Sequence, residues 1–397
     1  MHICNIPLAI AALASIAQGA VLQPRDLLQN LQDQALQNLK EAQSNGSIAK
    51  RSCSLSTAAV RRDCVRALLL IANKINRSFM SANERKGYIK AVKCLMSAPS
   101  KSDPVLVPGA RTRYDDFVAQ HMNQTLTIHV TGNFLSWHRY FVYGYEKALR
   151  EECGYKGYQP YWNWFTYQDN LRASPIFDGS DTSMGGDGSF VKHNGSVGGH
   201  PDVHLPSGEG GGCIKSGPFK GVQANLGPLS PAMDGEVIVN TTFAYNPRCL
   251  KRDLTNFAST KWFTTENLYN VTLGPASKNI ATFQNELQGR FDQGFLGMHI
   301  AGHLAIGGDA GDFFSSPNDP AFFLHHAMID RLWWIWQALH RNQASTIAGT
   351  ITLFNEPPSR DAVLEDIVQT NYLNLKPLEI KELMSTMDGS PLCYIYL

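Results

Sequence analysis

HVTGNFLSWHRYF, residues 129–141, and DPAFFLHHAMIDRLWWIWQ, residues 319–337, are the two stretches on which the reading of this chain turns. Each closes a set of three histidines with a run of aromatic side chains: His121, His129 and His138 in the first, His299, His303 and His326 in the second. Leu135, His138, Val142, Tyr145 and Leu149 recur at three- and four-residue steps, which predicts a helix over residues 134–151. The second stretch predicts a helix over residues 320–340, opened by His326. His299 and His303 are four apart, so a helix there projects both imidazoles from one face, one turn apart. His121 ends a short predicted helix over residues 112–121, and His129 comes from the connecting segment. Four helices offering inward histidines predict a mainly α protein, a four-helix bundle with metals in its core, long loops and a few short strands.

The donor set narrows the metal. Three neutral imidazoles per ion suit copper, zinc, nickel or iron. No carboxylate recurs at ligand spacing, as an iron facial triad requires, and His299-Ile-Ala-Gly-His303 lacks the acid that a zinc hydrolase places between its histidines. Elimination favours a pair of copper ions.

The rest of the chain sets the context. Residues 6–17, IPLAIAALASIA, are apolar but short for a membrane span, which predicts a signal peptide over residues 1–20, although no Lys or Arg leads it. No later stretch is apolar enough for a membrane helix. Six N-x-S/T sequons, at Asn45, Asn76, Asn123, Asn194, Asn240 and Asn270, add to the expectation of a secreted, extracellular glycoprotein. Residues 21–51 read either as a propeptide ending at the dibasic Lys50-Arg51 or as a solvated amphipathic helix, leaving residues 52–397 as the catalytic domain. Once Cys4 leaves with the leader, seven cysteines remain, so most pair and at least one is left over. Cys213 with Cys249 is the one expected bridge, stapling a Gly-rich excursion. Lys and Arg (35) balance Asp and Glu (34) without clustering, which argues against a nucleic-acid partner.

Helical spacing also predicts helices over residues 58–73 and 83–96, the latter starting at Asn83-Glu84, and another over 279–288. Residues 174–231, rich in Gly, Ser, Pro and Asp, predict long loops that shape a substrate entrance. His200 and His204, four apart in that stretch, read as loop histidines rather than a third metal site, and His193 and His340 as solvent-facing. Trp333, Trp334 and Trp336 read as a packing face. Asp330 could support a histidine or form a structural ion pair, with Arg331 as its partner.

H-x4-FL-x-WHR followed by Glu146 and Leu149, then PYWNW, H-x3-H and DPAFFLHH-x3-DR-x-WW-x-WQ, together resemble the tyrosinase/catechol oxidase (polyphenol oxidase) family of type 3 dicopper proteins. The likeness runs from about Cys53 to Gln337 and is greatest to short secreted fungal members. The resemblance implies His121, His129 and His138 on copper A and His299, His303 and His326 on copper B. His325 is then a ring supporting the ligands, a ring facing substrate, or simply a core histidine. The chemistry implied is oxidation of small phenolic substrates by O2, each catechol losing two electrons to become an o-quinone.

Family members that also hydroxylate monophenols pair an Asn after the first copper B histidine with an upstream Glu. Here those positions read Ile300 and Gln288, which favours oxidation of o-diphenols, or of o-aminophenols, over tyrosinase action. Phe313 and Phe314, between His303 and His326, are candidates to overhang copper A and restrict substrate. No cysteine precedes His129 closely, so no thioether to it is expected, and the stretch after His326 is too short for the plug domain that some relatives carry. The rival from another class is a non-catalytic O2-binding dicopper protein, distinguished by a blocked approach to copper A. The protein is expected to be a monomer or weak homodimer, without nucleic-acid or membrane partners.

Overall fold

The structure is a computed structural model and describes residues 23–46, 53–64, 79–387, 389 and 391–397. The expected leader, the Lys50-Arg51 pair and most of the helix predicted over residues 58–73 lie outside these residues.

Its helices, in chain order, are α1 (Pro24–Ser44), α2 (Ala82–Leu95), α3 (Arg113–Ile128), α4 (Phe134–Glu151), α5 (Asn256–Trp262), α6 (Thr265–Thr272), α7 (Ile280–Gln288), α8 (Gly297–Ile306) and α9 (Ala321–Leu339). The expectation of a mainly α protein with short strands is met, and α3, α4, α8 and α9 are the four helices that carry the histidines.

Local chemistry explains where the boundaries moved. α2 begins at Ala82, not Asn83, with Ser81 as its cap: the Ser81 hydroxyl accepts from the Glu84 amide while the Glu84 carboxylate accepts from the Ser81 amide. α3 is capped by the same reciprocal device between Thr112 and Asp115, and it runs on to Ile128. His121 is therefore mid-helix rather than terminal, while His129 is the C-cap, with extended backbone. α4 has the predicted bounds. The predicted helix over residues 58–73 opens instead as a strand, Ala59–Arg61, paired in parallel with Tyr394–Tyr396. There Arg61 finds buried partners that an isolated helix could not supply.

α1, read as either a propeptide or a solvated helix, buries Leu27, Leu28, Leu31, Ala35 and Leu39 on one face and packs against α9 and α6. Its Gln32 hydrogen-bonds Arg331, so Arg331 is not the partner of Asp330. Asp330 is a structural anion, as expected, but its cations are Arg139 and Arg61. Trp333, Trp334 and Trp336 are buried packing residues; Arg139 lies over the Trp333 ring, 3.6 Å from its centroid, and the Trp336 indole donates to the Ser277 carbonyl.

Residues 174–231 form loops with short two-stranded pairs, among them Ser196–Gly198 with Val203–Leu205. Cys213–Cys249 is bridged as expected, alongside Cys53–Cys393 and Cys94–Cys153. Cys64 is the free thiol among the described residues; it is buried, and burial pushes its pKa up to about 12, so it is chemically quiet. No helix among the described residues is long and apolar enough to cross a membrane.

Candidate metal centre

The histidines converge in two groups. His121 (α3), His129 (its C-cap) and His138 (α4) have ring centroids 5.0 to 5.9 Å apart. His299 and His303 (α8) and His326 (α9) are separated by 5.0 to 5.3 Å. The groups face one another: His138 stacks on His326 at 4.4 Å, and His129 on His299 at 6.0 Å.

Backbone carbonyls decide which nitrogen is free in four of the six rings. Nδ1 of His121 donates to the Phe314 carbonyl at 2.7 Å, that of His129 to Thr125 at 2.9 Å, that of His138 to Phe134 at 2.8 Å, and that of His303 to Ala310 at 3.0 Å. With the proton on Nδ1, the Nε2 lone pair points inward. Nε2 of His121 and of His138, and both ring nitrogens of His299, are buried without a hydrogen-bond partner. Nε2 of His303 faces Nε2 of His326 at 3.1 Å. Unpartnered buried nitrogens are costly unless something else binds them, and converging lone pairs are what a cation needs. Within each group the donor atoms lie within 4.8 Å of one another, so each could hold a metal ion.

Electrostatics agrees with that reading. Burial, and then neighbouring histidines, depress the pKa of His121, His138, His299 and His326 well below the usual range. Burial lowers His129 to about 4 and, with His129 beside it, His303 to about 3. A depressed imidazole pKa means that the neutral form prevails from neutral pH down to those values, which keeps the lone pairs available to a metal.

His325 belongs spatially to the second group, but its Nε2 donates to the His299 carbonyl at 2.9 Å, and its ring stacks on His299 and packs tilted against Trp164. It does not line the cavity, so the substrate-facing alternative is set aside, and it braces the carbonyl of α8 instead. Gly302 allows this approach: a Cβ there would lie 2.0 Å from the His325 ring.

A cavity of about 360 Å3 reaches the centre, walled on its inner side by His129, His299, His303 and Phe313. Phe313 has its ring centroid 5.1 Å from that of His129 and lines the cavity. Phe314 acts differently: its ring turns to a separate outer groove, and its carbonyl is what orients His121. Asp312 holds both in place, accepting from the Phe314 and Ser315 amides on one oxygen and from the Leu229 and Ser230 amides on the other. That ties the Gly-rich excursion to the centre, and Val197 to His200, Asp202, Ser230 and Pro231 of the excursion line the cavity.

Gln288 and Ile300 both line the cavity beside His129 and His299. The Gln288 Oε1 accepts from the Val130 amide at 2.8 Å. Val130 has φ +50°, a conformation that a β-branched residue adopts only when its surroundings impose it. Gln288 thus clamps a strained residue next to His129. Sequence reasoning missed Val130, as it missed the carbonyls of Thr125, Phe134, Ala310 and Phe314, because a backbone group has no residue-type signature.

The remaining histidines fall outside the centre. His204 is exposed on a strand, and His200 is exposed at the cavity rim. His193 is not solvent-facing as expected: its Nε2 lies 3.1 Å from Asp253, and its side chain is buried. His340 is half-buried, with Nδ1 donating to the Trp336 carbonyl at the end of α9.

Comparison with known proteins follows the same lines. A family model described as the common central domain of tyrosinase matches residues 111–339. "Tyrosinase P" of Aspergillus terreus is 40% identical over 324 residues, covering 80% of this chain and 89% of that protein. An N-acetyl-6-hydroxytryptophan oxidase of Emericella nidulans is 37% identical over 338 residues, covering 80% and 90%. A mutant polyphenol oxidase from Thermothelomyces thermophila superimposes with a TM-score of 0.84 at 36% identity, covering 95% of this chain and 99% of that one.

Proposed function

Given that the chain belongs to the tyrosinase family of oxidoreductases, we propose that it is a secreted dicopper oxidase that converts o-diphenols, and o-aminophenols with them, to o-quinone products. Two catechols each lose two electrons and two protons, and one O2 becomes two waters. The observation that carries this reading is the pair of facing histidine groups, in which the inward nitrogens of His121, His138 and His299 are buried and unpartnered. His121, His129 and His138 would hold one copper, and His299, His303 and His326 the other. Bound copper would supply electron transfer and oxygen activation. The chain supplies fixed donor geometry, through Nδ1 bonds to carbonyls, and an apolar approach past Phe313, Ile300 and Leu304.

Action on diphenols rather than monophenols follows from what faces the substrate. A monophenol must lose its proton before oxidation, and Gln288 and Ile300 offer no base. The alternative of a true tyrosinase with monooxygenase activity would need a base from elsewhere. The non-catalytic O2-binding alternative is disfavoured by the cavity, which runs from His129 to the exposed His200 and Phe354.

The test uses purified, copper-loaded protein: peroxide treatment with an optical spectrum, then 4-tert-butylcatechol and, separately, tyramine. A near-ultraviolet band with quinone from the catechol alone is the expected result. The band without quinone would favour an oxygen-binding role, and no band would overturn the dicopper reading. In the double variant Gln288→Glu with Ile300→Asn, tyramine turnover should rise about 100-fold, the low end of what a positioned base contributes. A Glu keeps an acceptor for the Val130 amide, so the clamp survives. No gain would place monophenol control outside these two residues.

A further inference from the structure

The cavity is larger than one phenol requires. A void of about 150 Å3 already accommodates benzene, and this one measures about 360 Å3. Beyond the ring that reaches the histidines there is room for a second. The outer wall has the chemistry for it: Phe354 lies with its ring centroid 5.5 Å from that of His200 and 6.0 Å from that of Phe291, edge-on to the latter.

Phe354 is an unusual side chain to find there. It is 39% exposed, and both it (φ +53°) and Asn355 (φ +59°) hold left-handed backbone, which non-glycine residues seldom adopt in succession. The loop is held in that shape by its own bonds. The Asn355 amide donates to the Thr352 carbonyl at 3.0 Å, the Glu356 amide to Leu353 at 2.9 Å, and the Ser359 amide to the Asn355 side chain at 2.8 Å. Packed against His200 and Phe291, the Phe354 ring still leaves more than a third of its surface open, which a ligand ring can cover. Opposite, Gly198 lets the 196–205 hairpin lie flat on the inner wall: a Cβ there would come within 2.7 Å of Leu304.

We infer that Phe354, Phe291 and His200 form an outer aromatic subsite, and that the substrate class is a phenol carrying a second aromatic ring, one ring at the histidines and the other at this mouth. This deepens the oxidase reading and rests on it for the inner ring only. Aromatic rings prefer offset or edge-to-face contacts at centroid separations of about 4.5–7 Å, the range Phe354 already keeps to His200 and to Phe291.

The experiment uses the copper-loaded full chain with catechol and 4-phenylcatechol as substrates, and titration calorimetry with benzoate and 4-phenylbenzoate as unreactive probes. In the unaltered protein the two-ring member of each pair should be preferred. Phe354→Ala should raise KM for 4-phenylcatechol about tenfold and weaken 4-phenylbenzoate equally, with catechol and benzoate changed by less than about twofold. His200→Ala, on a different segment, should act in the same direction by about threefold. Equal effects on one-ring and two-ring compounds, or no preference in the unaltered protein, would overturn the subsite. A retained preference for 4-phenylbenzoate without quinone from any catechol would uphold the subsite and overturn the oxidase reading.

Discussion

On the proposed dicopper assignment, replacing His138 by alanine should remove one copper per chain and abolish catechol oxidation. The ring stands on α4, its Nδ1 is committed to the Phe134 carbonyl at 2.8 Å, and its Nε2 is buried without a partner. It stacks on His326 at 4.4 Å, so it sits where the two histidine groups meet. Loss of a residue that merely orients a ligand costs about 10–100-fold in metal affinity; loss of the ligand itself should exceed that. Copper per chain by elemental analysis, measured beside a circular-dichroism melt, separates metal loss from unfolding. Two coppers and undiminished turnover in a folded variant would refute the assignment of His138.

Asp330→Asn should destabilise the fold by about 3–5 kcal/mol, through a route that does not touch the metal-binding histidines. The Asp330 carboxylate accepts from Arg139 at 2.6 Å, Arg61 at 3.3 Å, Tyr394 at 2.5 Å and Tyr396 at 2.6 Å, and both arginines are fully buried. Burial alone would raise its pKa, but the two arginines hold it below the ordinary carboxylate range. A carboxylate so depressed stabilises the fold above the unfolded pKa of about 3.9, and that contribution fades as pH falls through the lower folded value. An amide would leave Arg139 buried beside no other carboxylate bond, whereas Arg61 keeps Glu146 at 3.0 Å. The measurement is the denaturant midpoint of copper-saturated protein, with copper content as the control. A shift worth less than about 1 kcal/mol would show that the network tolerates the loss of its anion.

How much of this was legible in the sequence differs from element to element. α4 and α9 were readable because their apolar faces recur with helical period and local propensity agrees with burial. The strand at Ala59–Arg61 was not, because its partner lies more than 300 residues away and its helical pattern is shared by many buried segments. The end of α3 was placed too early at His121: residues 121–128 hold no Gly or Pro to break a helix, and it runs on until the extended backbone of His129. Asp330 was recognised as an ion-pair residue with the wrong partner, since adjacency in sequence places Arg331 on another face of the same helix.

By itself the sequence determined the donor inventory: six imidazoles in two sets, their helical spacing, and an amide and an aliphatic side chain at Gln288 and Ile300, because ligand chemistry is a property of residue type. Tertiary structure alone decided which nitrogen of His121, His129, His138 and His303 is free, that His325 braces α8 rather than facing substrate, that Gln288 clamps a strained Val130, and that Phe354 lines the cavity mouth. Those outcomes depend on backbone carbonyls, left-handed turns and contacts between distant segments. None of these is encoded by a residue type at one position, so each exists only once the chain has folded.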